Sequence, residues 1–463
     1  MTPLLTLDKL TFSPGNDAVS LLESVCLTLH AGECHCITGA TGAGKSSLLL
    51  LAAGLLGEIT AGQRMLAPGA LCALVLQDPH TQLLRRTIGA EVAFVLENLG
   101  VAPGQMPARV LQALRRVGLE LPLNTRVDSL SLGQKYRLMI AAQLVGKPSV
   151  LMLDEPWAQL DDEGVSELLK LLLRLKSEGL GLLLVEHHAG AFEGLIDHHW
   201  HLHQGQLYAA GMLIDEHLPE VFSGWPDKPL HNPHAATCLR LESEPFSLMP
   251  VSAVSAATAS DAIQERPLFS SPALRVAAAE RVLLLGGNGS GKTSLLSLMA
   301  GCTAEQTVPL QILGRTPELG VHGADFCYLM QRPNRQLFEL TVRAEMEYSL
   351  KRFKLPLERA QRMMALLDIT HLADKSPHRL SYGQQHLVAL GSLACLQPKL
   401  FLLDDPFAGL DRHYCNKVLL LLDKMQHEGC ALIIASHRPL SLGQHQTWLI
   451  QAGKLEVSHV GQA

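Results

Sequence analysis

The sequence has few aromatic residues, few charges and no long hydrophobic run, and each shortage excludes a class of protein. Of the 463 residues, 5% are aromatic and 18% are charged, while 47% are hydrophobic. This balance indicates a globular chain with room for at least two cores, and it is not typical of a disordered protein. The leucine-rich run at residues 48–56 is too short for a membrane-spanning helix, which needs about 20 apolar residues. We therefore expect any role at a membrane to depend on partner subunits.

Charge and cysteine usage restrict the kinds of partner and the compartment. The formal net charge of −6 argues against a nucleic-acid-binding surface, so no nucleic-acid partner is predicted. The ten cysteines include no C-x-x-C pair, and Cys34 and Cys36 occupy alternate positions of a predicted strand. Buried, reduced thiols explain this pattern best, and the N-terminal segment has neither the charged nor the apolar region of a signal peptide. Together these features predict a cytosolic chain.

The sequence does contain a glycine-rich stretch, Gly39-Ala-Thr-Gly-Ala-Gly-Lys45-Ser46, that recurs as Gly286-Gly-Asn-Gly-Ser-Gly-Lys292-Thr293. Both fit G-x-x-x-x-G-K-[ST], in which several backbone N–H groups point at one phosphate and the following helix adds its positive end. A chance glycine-rich turn is the alternative for one copy, and the second copy excludes it. The lysines are predicted to bridge the β- and γ-phosphates of a nucleoside triphosphate, and the final hydroxyl to bind Mg²⁺. The predicted phosphate-binding residues are Gly39, Gly42, Gly44, Lys45, Ser46 and Ser47, and Gly286, Gly289, Gly291, Lys292, Thr293 and Ser294.

The repeat extends through the chain and sets the predicted domain organisation. Two acids, Asp154 and Asp404, and two histidines, His187 and His437, each recur about 250 residues apart, as the loop lysines do. Between the copies lies a stretch with Pro, Gly and His that has neither helical nor strand periodicity. We therefore predict a first domain at residues 1–215, a linker at 216–236 and a second domain at 237–463. An Ala- and Ser-rich insertion at residues 251–262 is predicted to be a loop.

Each copy alternates short apolar strands with helices. Continuous apolar runs indicate strands that are covered on both faces, and helices between them indicate parallel crossovers. The predicted fold class is α/β, with two P-loop nucleotide-binding domains, each a largely parallel sheet wound with helices plus an inserted helical lobe. The predicted strands are 34–38, 150–154, 180–185, 282–285, 400–404 and 431–435, the helices that precede strands are 164–177 and 416–428, and the lobes are 88–116 and 342–367.

Two carboxylates follow one another at the end of a predicted buried strand in each copy, Asp154-Glu155 and Asp404-Asp405. Open α/β sheets place their chemistry at the carboxyl ends of the strands. Asp154 and Asp404 are predicted to hold Mg²⁺, and Glu155 and Asp405 to orient and polarise the attacking water. A merely solvated acidic pair is the alternative, and a phosphate loop in the same copy argues against it. The base of the second copy is one methylene shorter than that of the first.

Two further motifs recur at matching places. Gln77 and Gln331 each open a Gln-x-Pro-x-x-Gln-Leu segment; a lone glutamine there is usually a surface residue, but the repeat predicts a Mg²⁺ ligand and sensor that joins the metal to the helical lobe. Segments beginning with Ser131 and Ser381 introduce helices, where a serine and free N–H groups can bind the γ-phosphate of a facing nucleotide. Ordinary helix caps are the alternative. The predicted nucleotide-binding residues of these segments are Ser131, Gly133 and Gln134, and Ser381, Gly383 and Gln384.

Histidines supply the last candidates. His187 and His437 each lie just after an apolar strand, at the same distance from the acids Glu155 and Asp405, and they are predicted to contact the γ-phosphate and the attacking water. The first copy also has a His-rich stretch at residues 187–203, for which a metal site and alternate positions of a strand are competing interpretations. The second copy has no equivalent stretch.

With these residues assembled, the chain resembles two fused ATP-binding cassette (ABC) ATPase domains over nearly its whole length. The resemblance implies that ATP and Mg²⁺ are the ligands and that the two domains pair head to tail. Each ATP would then lie between the Walker motifs of one domain and the signature of the other, so that Lys45 faces Ser381 and Lys292 faces Ser131. It also implies Walker A at the phosphate loops, Walker B at Asp154 and Asp404, Q-loops at Gln77 and Gln331, D-loops at Asp161 and Asp411, and switch histidines at His187 and His437.

The repeated Gln-x-Pro-x-x-Gln-Leu is similar to the ATPases of energy-coupling factor importers, which take up vitamins and nickel or cobalt. This resemblance implies two integral membrane partners, a transmembrane coupling protein and a substrate-binding membrane protein. The chain would be a peripheral protein at the cytoplasmic face of the cell membrane. Four residues depart from the family's pattern: Leu132 and Tyr382 replace a signature glycine, Asp405 replaces glutamate, and Glu186 precedes the switch histidine where a small hydroxyl residue is common. The signature and Asp405 departures put the rate of hydrolysis in question, above all at the second site.

Other functions compete with the importer. A soluble two-cassette ATPase that acts on ribosomes resembles this chain in layout, but such factors carry a long charged linker, and the linker here is short, Pro-rich and nearly uncharged. A tandem sugar-importer ATPase is the nearer alternative, and the intact second phosphate loop and the paired glutamine motif argue against it. The transported substrate is chosen by a membrane subunit, so this sequence does not identify it.

Overall fold

The structure, a computed structural model, describes residues 3–14, 20–40, 42–57, 59–157, 160, 162–186, 192, 194–209, 238–249, 267–303, 308–410, 412–437, 439–440, 443 and 445–460. The chain divides into two compact units, Met1–Glu216 and His217–Ala463. The predicted linker at 216–236 and the predicted loop at 251–262 lie outside the described residues. The domain boundaries therefore stay a prediction.

The first unit contains strands and helices in alternation. Its strands are β1 (Pro3–Phe12), β2 (Leu22–His30), β3 (Cys34–Thr38), β4 (Ala61–Leu66), β5 (Cys72–Val75), β6 (Val150–Asp154), β7 (Gly181–Glu186), β8 (His198–His203) and β9 (Gln206–Ala209). Its helices are α1 (Lys45–Ala53), α2 (Pro79–Gln82), α3 (Ile88–Asn98), α4 (Met106–Arg116), α5 (Leu132–Leu144) and α6 (Asp162–Ser177).

The second unit repeats this arrangement. Its strands are β10 (Leu239–Ser243), β11 (Phe246–Leu248), β12 (Phe269–Ser271), β13 (Arg275–Ala277), β14 (Arg281–Gly286), β15 (Leu310–Ile312), β16 (Phe326–Leu329), β17 (Leu400–Asp404), β18 (Ala431–Ser436), β19 (His445–Gln451) and β20 (Lys454–Val460). Its helices are α7 (Lys292–Met299), α8 (Val342–Arg352), α9 (Glu358–Leu366), α10 (Tyr382–Ala394) and α11 (Arg412–His427).

The main sheet of the first unit has the order β5-β6-β7-β3-β8-β9, and every neighbouring pair is parallel except β8 and β9. The second unit has the same order, β16-β17-β18-β14-β19-β20, with two short strands, β12 and β11, added beyond β20. Each unit also has an antiparallel three-stranded sheet, β2-β1-β4 or β13-β10-β15. The predicted α/β fold class, with a largely parallel sheet wound with helices, is confirmed.

Burial explains why the strands have continuous apolar sequences. Every residue of β6 and of β17 is buried, because helices cover both faces of the sheet. In the first unit one apolar cluster joins one face of the sheet to α3, α4 and α5, and a second joins the other face to α1 and the antiparallel sheet. The carboxyl ends of β3, β6 and β7 consequently lie together at one rigid edge.

The helical lobes differ in detail from the sequence prediction. Residues 88–116 form two helices, α3 and α4, and the break contains Gly100, whose φ is 68°, and Pro103. Residues 342–367 likewise form α8 and α9, separated at Lys354, whose φ is 53°. A left-handed residue followed by proline ends a helix, so each lobe is a pair of shorter helices. None of the helices in the described part of the chain combines the length and the apolar character that a bilayer span requires.

Candidate functional site

Each phosphate loop joins the carboxyl end of a central strand to a helix, β3 to α1 and β14 to α7. Gly42 and Gly44 have φ angles of 84° and 99°, and Gly289 and Gly291 have angles of 79° and 105°. Residues with a Cβ rarely adopt this region without strain, so the loop backbone itself requires these glycines. Gly42 and Gly289, and Gly44 and Gly291, thus have similar φ angles in the two units.

The first glycine of each loop is required for a different reason. A Cβ on Gly39 would lie 2.5 Å from the carbonyl oxygen of Leu202, and a Cβ on Gly286 would lie 3.0 Å from that of Ile450. Each loop therefore begins where the backbone touches the neighbouring strand, β8 or β19. This contact fixes the loop against the sheet.

The loop lysines fold back over their own loops. Lys45 Nζ donates to the carbonyl oxygens of Gly39 at 2.7 Å and Ala40 at 3.1 Å. Lys292 Nζ donates to those of Gly286 at 2.6 Å and Gly287 at 3.0 Å. Each ammonium group thus lies across the glycine turn, where a phosphate in the loop would meet it.

The structure brings two predicted Mg²⁺ ligands of the second unit together. The Thr293 hydroxyl, in the first turn of α7 beside Ser294, donates to Asp404 Oδ2 at 2.7 Å. Hydroxyl and carboxylate oxygens are the hard donors that Mg²⁺ prefers. In the first unit Asp154 ends β6 in a buried position, and Ser46 and Ser47 follow Lys45 in α1.

Asp404 is only 3% exposed, and burial raises the pKa of its carboxyl to about 6, against the opposing effect of the Thr293 hydrogen bond. The ordinary pKa of an aspartate carboxyl is 3.8. Above about pH 6 the Asp404 carboxylate is therefore charged in the metal-free fold, where the charge is less stable than in the unfolded chain, and this destabilises the fold. This difference in pKa lowers the free energy of unfolding above pH 6 by roughly 3 kcal/mol. A bound divalent cation would remove this cost.

We therefore expect Asp404→Asn to stabilise the metal-free, nucleotide-free chain above about pH 6, because the amide retains an acceptor for Thr293 without the charge. The gain should shrink towards pH 4, where the native carboxyl is protonated. Thermal unfolding midpoints at pH 4.5 and pH 7.5 test this, with the exposed Asp374→Asn as the control. An equal gain at both pH values would show that the charge on Asp404 is not the cause.

The predicted bases stand at strained turns. Glu155 and Asp405 have φ angles of 45° and 53°, in the left-handed region, although neither is glycine. Each is held there by a backbone hydrogen bond to the adjacent strand. The Glu155 N–H donates to the Val185 carbonyl oxygen, and the Asp405 N–H donates to the Ala435 carbonyl oxygen, both at 3.0 Å. Strain of this kind is concentrated at functional sites, and here it fixes the direction of the carboxylate.

The predicted Q-loop glutamines differ in their surroundings. Gln77 Nε2 donates to Glu155 Oε2 at 2.7 Å, so the structure brings the predicted sensor and the predicted base of the first unit into contact. The backbone carbonyl of Gln77 accepts a hydrogen bond from the Tyr136 hydroxyl on α5. Gln331 is exposed in the second unit.

The predicted switch histidine of the second unit contacts its base. His437 Nδ1 lies 3.0 Å from Asp405 Oδ2, while His437 Nε2 is buried and has no hydrogen-bond partner among the described residues. A buried, unpaired nitrogen beside the base is suited to receive a ligand group. The matching His187 lies outside the described residues, as do Asp161 and Asp411.

The predicted signature serines are helix N-caps in this structure. Ser131 Oγ accepts from the Gln134 N–H, and Gln134 Oε1 accepts from the Ser131 N–H, which makes a complete capping box on α5. Ser381 and Gln384 make the same pair on α10, and Gly383 lies within its first turn. The capping interpretation is thus observed, and a phosphate contact in addition to it stays a prediction for these residues and Gly133.

In each unit the sequence interpretation assigned no role to one glutamine that shapes the Q-loop. Gln82 Oε1 accepts from the Leu76 N–H at 2.8 Å, and its Nε2 donates to the Leu74 carbonyl at 2.9 Å. Gln336 bridges Met330 and Tyr328 in the same way, at 2.9 Å for both bonds. The repeated second glutamine of Gln-x-Pro-x-x-Gln-Leu was the available signal.

A buried glutamate closes the other end of each Q-loop. Glu91 Oε2 accepts from the N–H groups of Leu84 and Arg85, at 2.9 and 2.7 Å. Glu345 Oε2 accepts from the corresponding N–H groups after Gln336, at 2.9 and 2.8 Å. The Q-loops are therefore tied to the helical lobes through α3 and α8.

The His-rich stretch forms β8, and its neighbourhood favours a structural interpretation over a metal site. Glu33, His35 and His198 offer ligand atoms within 4.8 Å of one another. However, His35 Nδ1 accepts from the Trp200 indole N–H at 3.2 Å, so its Nε2 carries the proton and faces Glu33 Oε2 at 3.4 Å. A metal on Nε2 would force a proton onto Nδ1, opposite the indole N–H. Both ring nitrogens of His35 therefore have partners within the protein.

The site residues of each unit fit a Mg²⁺–nucleotide. A glycine cradle with a lysine across it suits phosphates, and paired hydroxyl and carboxylate oxygens suit the metal ion. The carboxylates lie at the carboxyl ends of the strands, which is where open α/β sheets bind their ligands. Such an arrangement can position water for attack on that phosphate.

The chain is similar to several known proteins. A Bifidobacterium longum protein named as an ABC transporter ATP-binding protein is 29% identical over 489 residues, which cover 93% of this chain and 63% of that protein, less than two thirds of its length. A Bacillus subtilis protein named as an HMP/thiamine import ATP-binding protein is 26% identical over 481 residues, covering 94% of this chain and 87% of that protein. The structure of cbiO1 from Clostridium perfringens, described as part of the ABC transporter complex cbiONQ, is 28% identical with a TM-score of 0.42, covering 45% of this chain and 88% of that chain.

The sequence pattern of one family matches the chain twice. The family described as ABC transporter matches residues 22–158 and 269–408. Each match contains one phosphate loop, one Q-loop, one signature segment and one strand-end carboxylate pair. The chain belongs to the ABC transporter family and carries two of its ATP-hydrolysing domains.

Proposed function

We propose that this chain is the ATPase subunit of an importer of the energy-coupling factor type, which takes up a vitamin or a transition-metal ion. The observation that carries the proposal is the paired Gln-x-Pro-x-x-Gln-Leu loop, in which Gln82 and Gln336 make the same bridges in both units. The relative named for thiamine import supports the vitamin alternative. The proposed partners are a transmembrane coupling protein and a substrate-binding membrane protein, with this chain at the cytoplasmic face.

A groove beside the first Q-loop supports a membrane partner. A cavity of about 220 Å³ lies between Gln82, Leu84, Phe94, Leu99 and Met139. Leu84 and Leu99 are 67% and 54% exposed, so the groove has an apolar rim. Gln82, which lines the groove, belongs to the same loop as Gln77, and Gln77 contacts Glu155. We propose that a cytoplasmic helix of the coupling protein occupies it, because movement there would reach the base directly.

The proposed cycle uses both units. The loop lysines and the glycine N–H groups hold the phosphates. Asp154 with Ser46, and Asp404 with Thr293, would hold Mg²⁺, which would supply positive charge beside the transferred phosphoryl group. Glu155 and Asp405 orient water, and His437 holds the carboxylate of Asp405. The units pair intramolecularly, so that each signature serine completes the site of the other unit. Hydrolysis then separates them and returns the membrane subunits to their starting state.

Co-purification tests the proposal. Extraction of the full chain from its own membranes in detergent should recover at least one multispanning protein. Leu84→Asp should reduce that recovery roughly tenfold, because it places a charge in the apolar contact. Leu55→Asp is the matched control, since Leu55 is also 67% exposed but does not line the groove.

One result would overturn the importer proposal, and another would overturn only the proposed docking surface. Recovery of ribosomes in place of membrane proteins would favour the soluble two-cassette alternative. Equal loss with Leu84→Asp and Leu55→Asp would leave the importer standing but remove the groove as its docking surface.

A further inference from the structure

One buried tyrosine joins the signature helix of the first unit to the Q-loop. Tyr136 lies on α5, shortly after the signature serine, and is fully buried. Its hydroxyl donates to the backbone carbonyl of Gln77. Burial raises the pKa of this hydroxyl above its usual range, and the neighbouring carboxylates act in the same direction. The phenol therefore stays protonated at pH 7 and remains a hydrogen-bond donor.

Gln77 connects this tyrosine to the proposed base. Its carbonyl oxygen accepts from Tyr136, and its side-chain Nε2 donates to Glu155 Oε2 at 2.7 Å. Two consecutive hydrogen bonds thus lead from α5 to the carboxylate. Just before Gln77, the Leu76 N–H donates to Gln82 Oε1 at 2.8 Å. The backbone is therefore held on both sides of Gln77, which restricts where its side chain can place the amide.

The second unit keeps the glutamine anchor but has another residue in the helix. Gln336 bridges its loop as Gln82 does. His386 takes the place of Tyr136, at the same distance from the signature serine, and Gln331 is exposed. Both units nevertheless form the same order of strands in the main sheet. The fold therefore does not require a tyrosine at this point of the helix, which favours a role for Tyr136 in the first site.

We propose that Tyr136 is a positioning residue for Glu155: its hydroxyl fixes the backbone of Gln77, and Gln77 in turn holds the carboxylate. The connection bears on the chemical step, because the loop that binds the phosphates is not part of it. The inference rests on the proposed role of Glu155 as the base, and it does not depend on which membrane partner is present.

Tyr136→Phe removes the hydroxyl and leaves the ring in place. In the full chain we expect this variant to lower kcat for ATP hydrolysis about tenfold with little change in KM, because the base is less well placed while the phosphate loop is intact. Tyr208→Phe is the matched control, since it removes a hydroxyl of the same unit that donates to Gln206 at 2.7 Å, outside this connection. Unchanged kcat for Tyr136→Phe, or an effect on KM alone, would overturn the proposal.

A double-mutant cycle separates positioning through Gln77 from a general loss of stability. Once Gln77→Ala has removed the amide, Tyr136→Phe should lower kcat by at most about twofold more, because the hydroxyl no longer acts on Glu155. An equal loss in both backgrounds would show that Tyr136 acts independently of Gln77, which contradicts the inference.

Two further measurements separate the inference from the assignment of the base. If Glu155→Gln leaves turnover unchanged, the proposed base itself is wrong. If Glu155→Gln abolishes most turnover and Tyr136→Phe has no effect, only the positioning role is wrong. Hydrogen–deuterium exchange of residues 76–84 should be faster in Tyr136→Phe than in Tyr208→Phe. Equal exchange in these two variants would show that the hydroxyl does not hold the loop.

Discussion

Glu155→Gln is expected to abolish most of the ATP turnover of the assembled complex, whereas Asp405→Asn is expected to leave a substantial part. Both substitutions replace one carboxylate oxygen by an NH₂ group and keep the shape of the side chain. Both residues stand at equivalent left-handed turns after equivalent strands, with φ angles of 45° and 53°. The difference between the two variants therefore reports on the carboxylates themselves.

The expected difference in turnover follows from the lengths of the two side chains. Asp405 is one methylene shorter than Glu155, and a base misplaced by about 1 Å can lose on the order of 10² in rate. Glu155 is also held by Gln77 at 2.7 Å, while Asp405 is held by His437 at 3.0 Å. The site with the longer, Gln77-supported base should carry most of the turnover.

Steady-state hydrolysis by the complex with its membrane subunits is the measurement, with ATP binding confirmed for each variant. Lys399→Ala, a substitution at an exposed surface ion pair, serves as a control for unspecific effects on the second unit. If Asp405→Asn is as damaging as Glu155→Gln, the two sites are equivalent or fully coupled. The proposed inequality would then be wrong.

Crosslinking between the units is expected to depend entirely on ATP. We propose that Lys45 shares a nucleotide with Ser381 and that Lys292 shares one with Ser131. A cysteine beside each signature serine should therefore reach the phosphate loop of the other unit only in the closed, ATP-bound pair. The contrast is large because a short crosslinker forms a bond in one state and none in the other.

The crosslinking experiment begins with removal of the exposed native cysteines. The exposed cysteines Cys26, Cys238 and Cys302 are first replaced by serine, since they would react with the crosslinker. The test pair is Ala40→Cys with Tyr382→Cys, in a Glu155→Gln background that slows turnover at the first site. The control pair, Ala40→Cys with Leu132→Cys, lies within one unit. Equal crosslinking of the test pair without nucleotide would refute ATP gating, and crosslinking of the control pair alone would refute the composite sites.

The sequence was sufficient for the parts of the fold that repeat. The strands Cys34–Thr38, Val150–Asp154 and Leu400–Asp404 were predicted with their observed bounds, because each is a continuous apolar run closed by a motif. Continuous hydrophobicity reports burial on both faces, which is a local property of the chain. The division of each helical lobe into two helices was missed, although Gly100 and Pro103 carried the signal.

The candidate site was predictable where chemistry fixes the residue type and not where packing does. A phosphate loop needs glycines at positive φ and a lysine, so its pattern is visible in the sequence. The contact of Tyr136 with the Gln77 carbonyl depends on how a helix packs on a distant loop. No local pattern encodes such contacts. The bond from Trp200 to His35, which pairs the Nδ1 atom of His35 within the protein, is of the same kind.

Hydrolysis measured with and without the membrane subunits tests the central claim most directly. The full chain, purified alone and then reconstituted into vesicles with the multispanning proteins that co-purify with it, is assayed for ATP turnover under identical conditions. We expect turnover several-fold higher in the vesicles, loss of that increase with Leu84→Asp, and its retention with Leu55→Asp. Turnover that is unchanged by the membrane subunits and raised by ribosomes would contradict it.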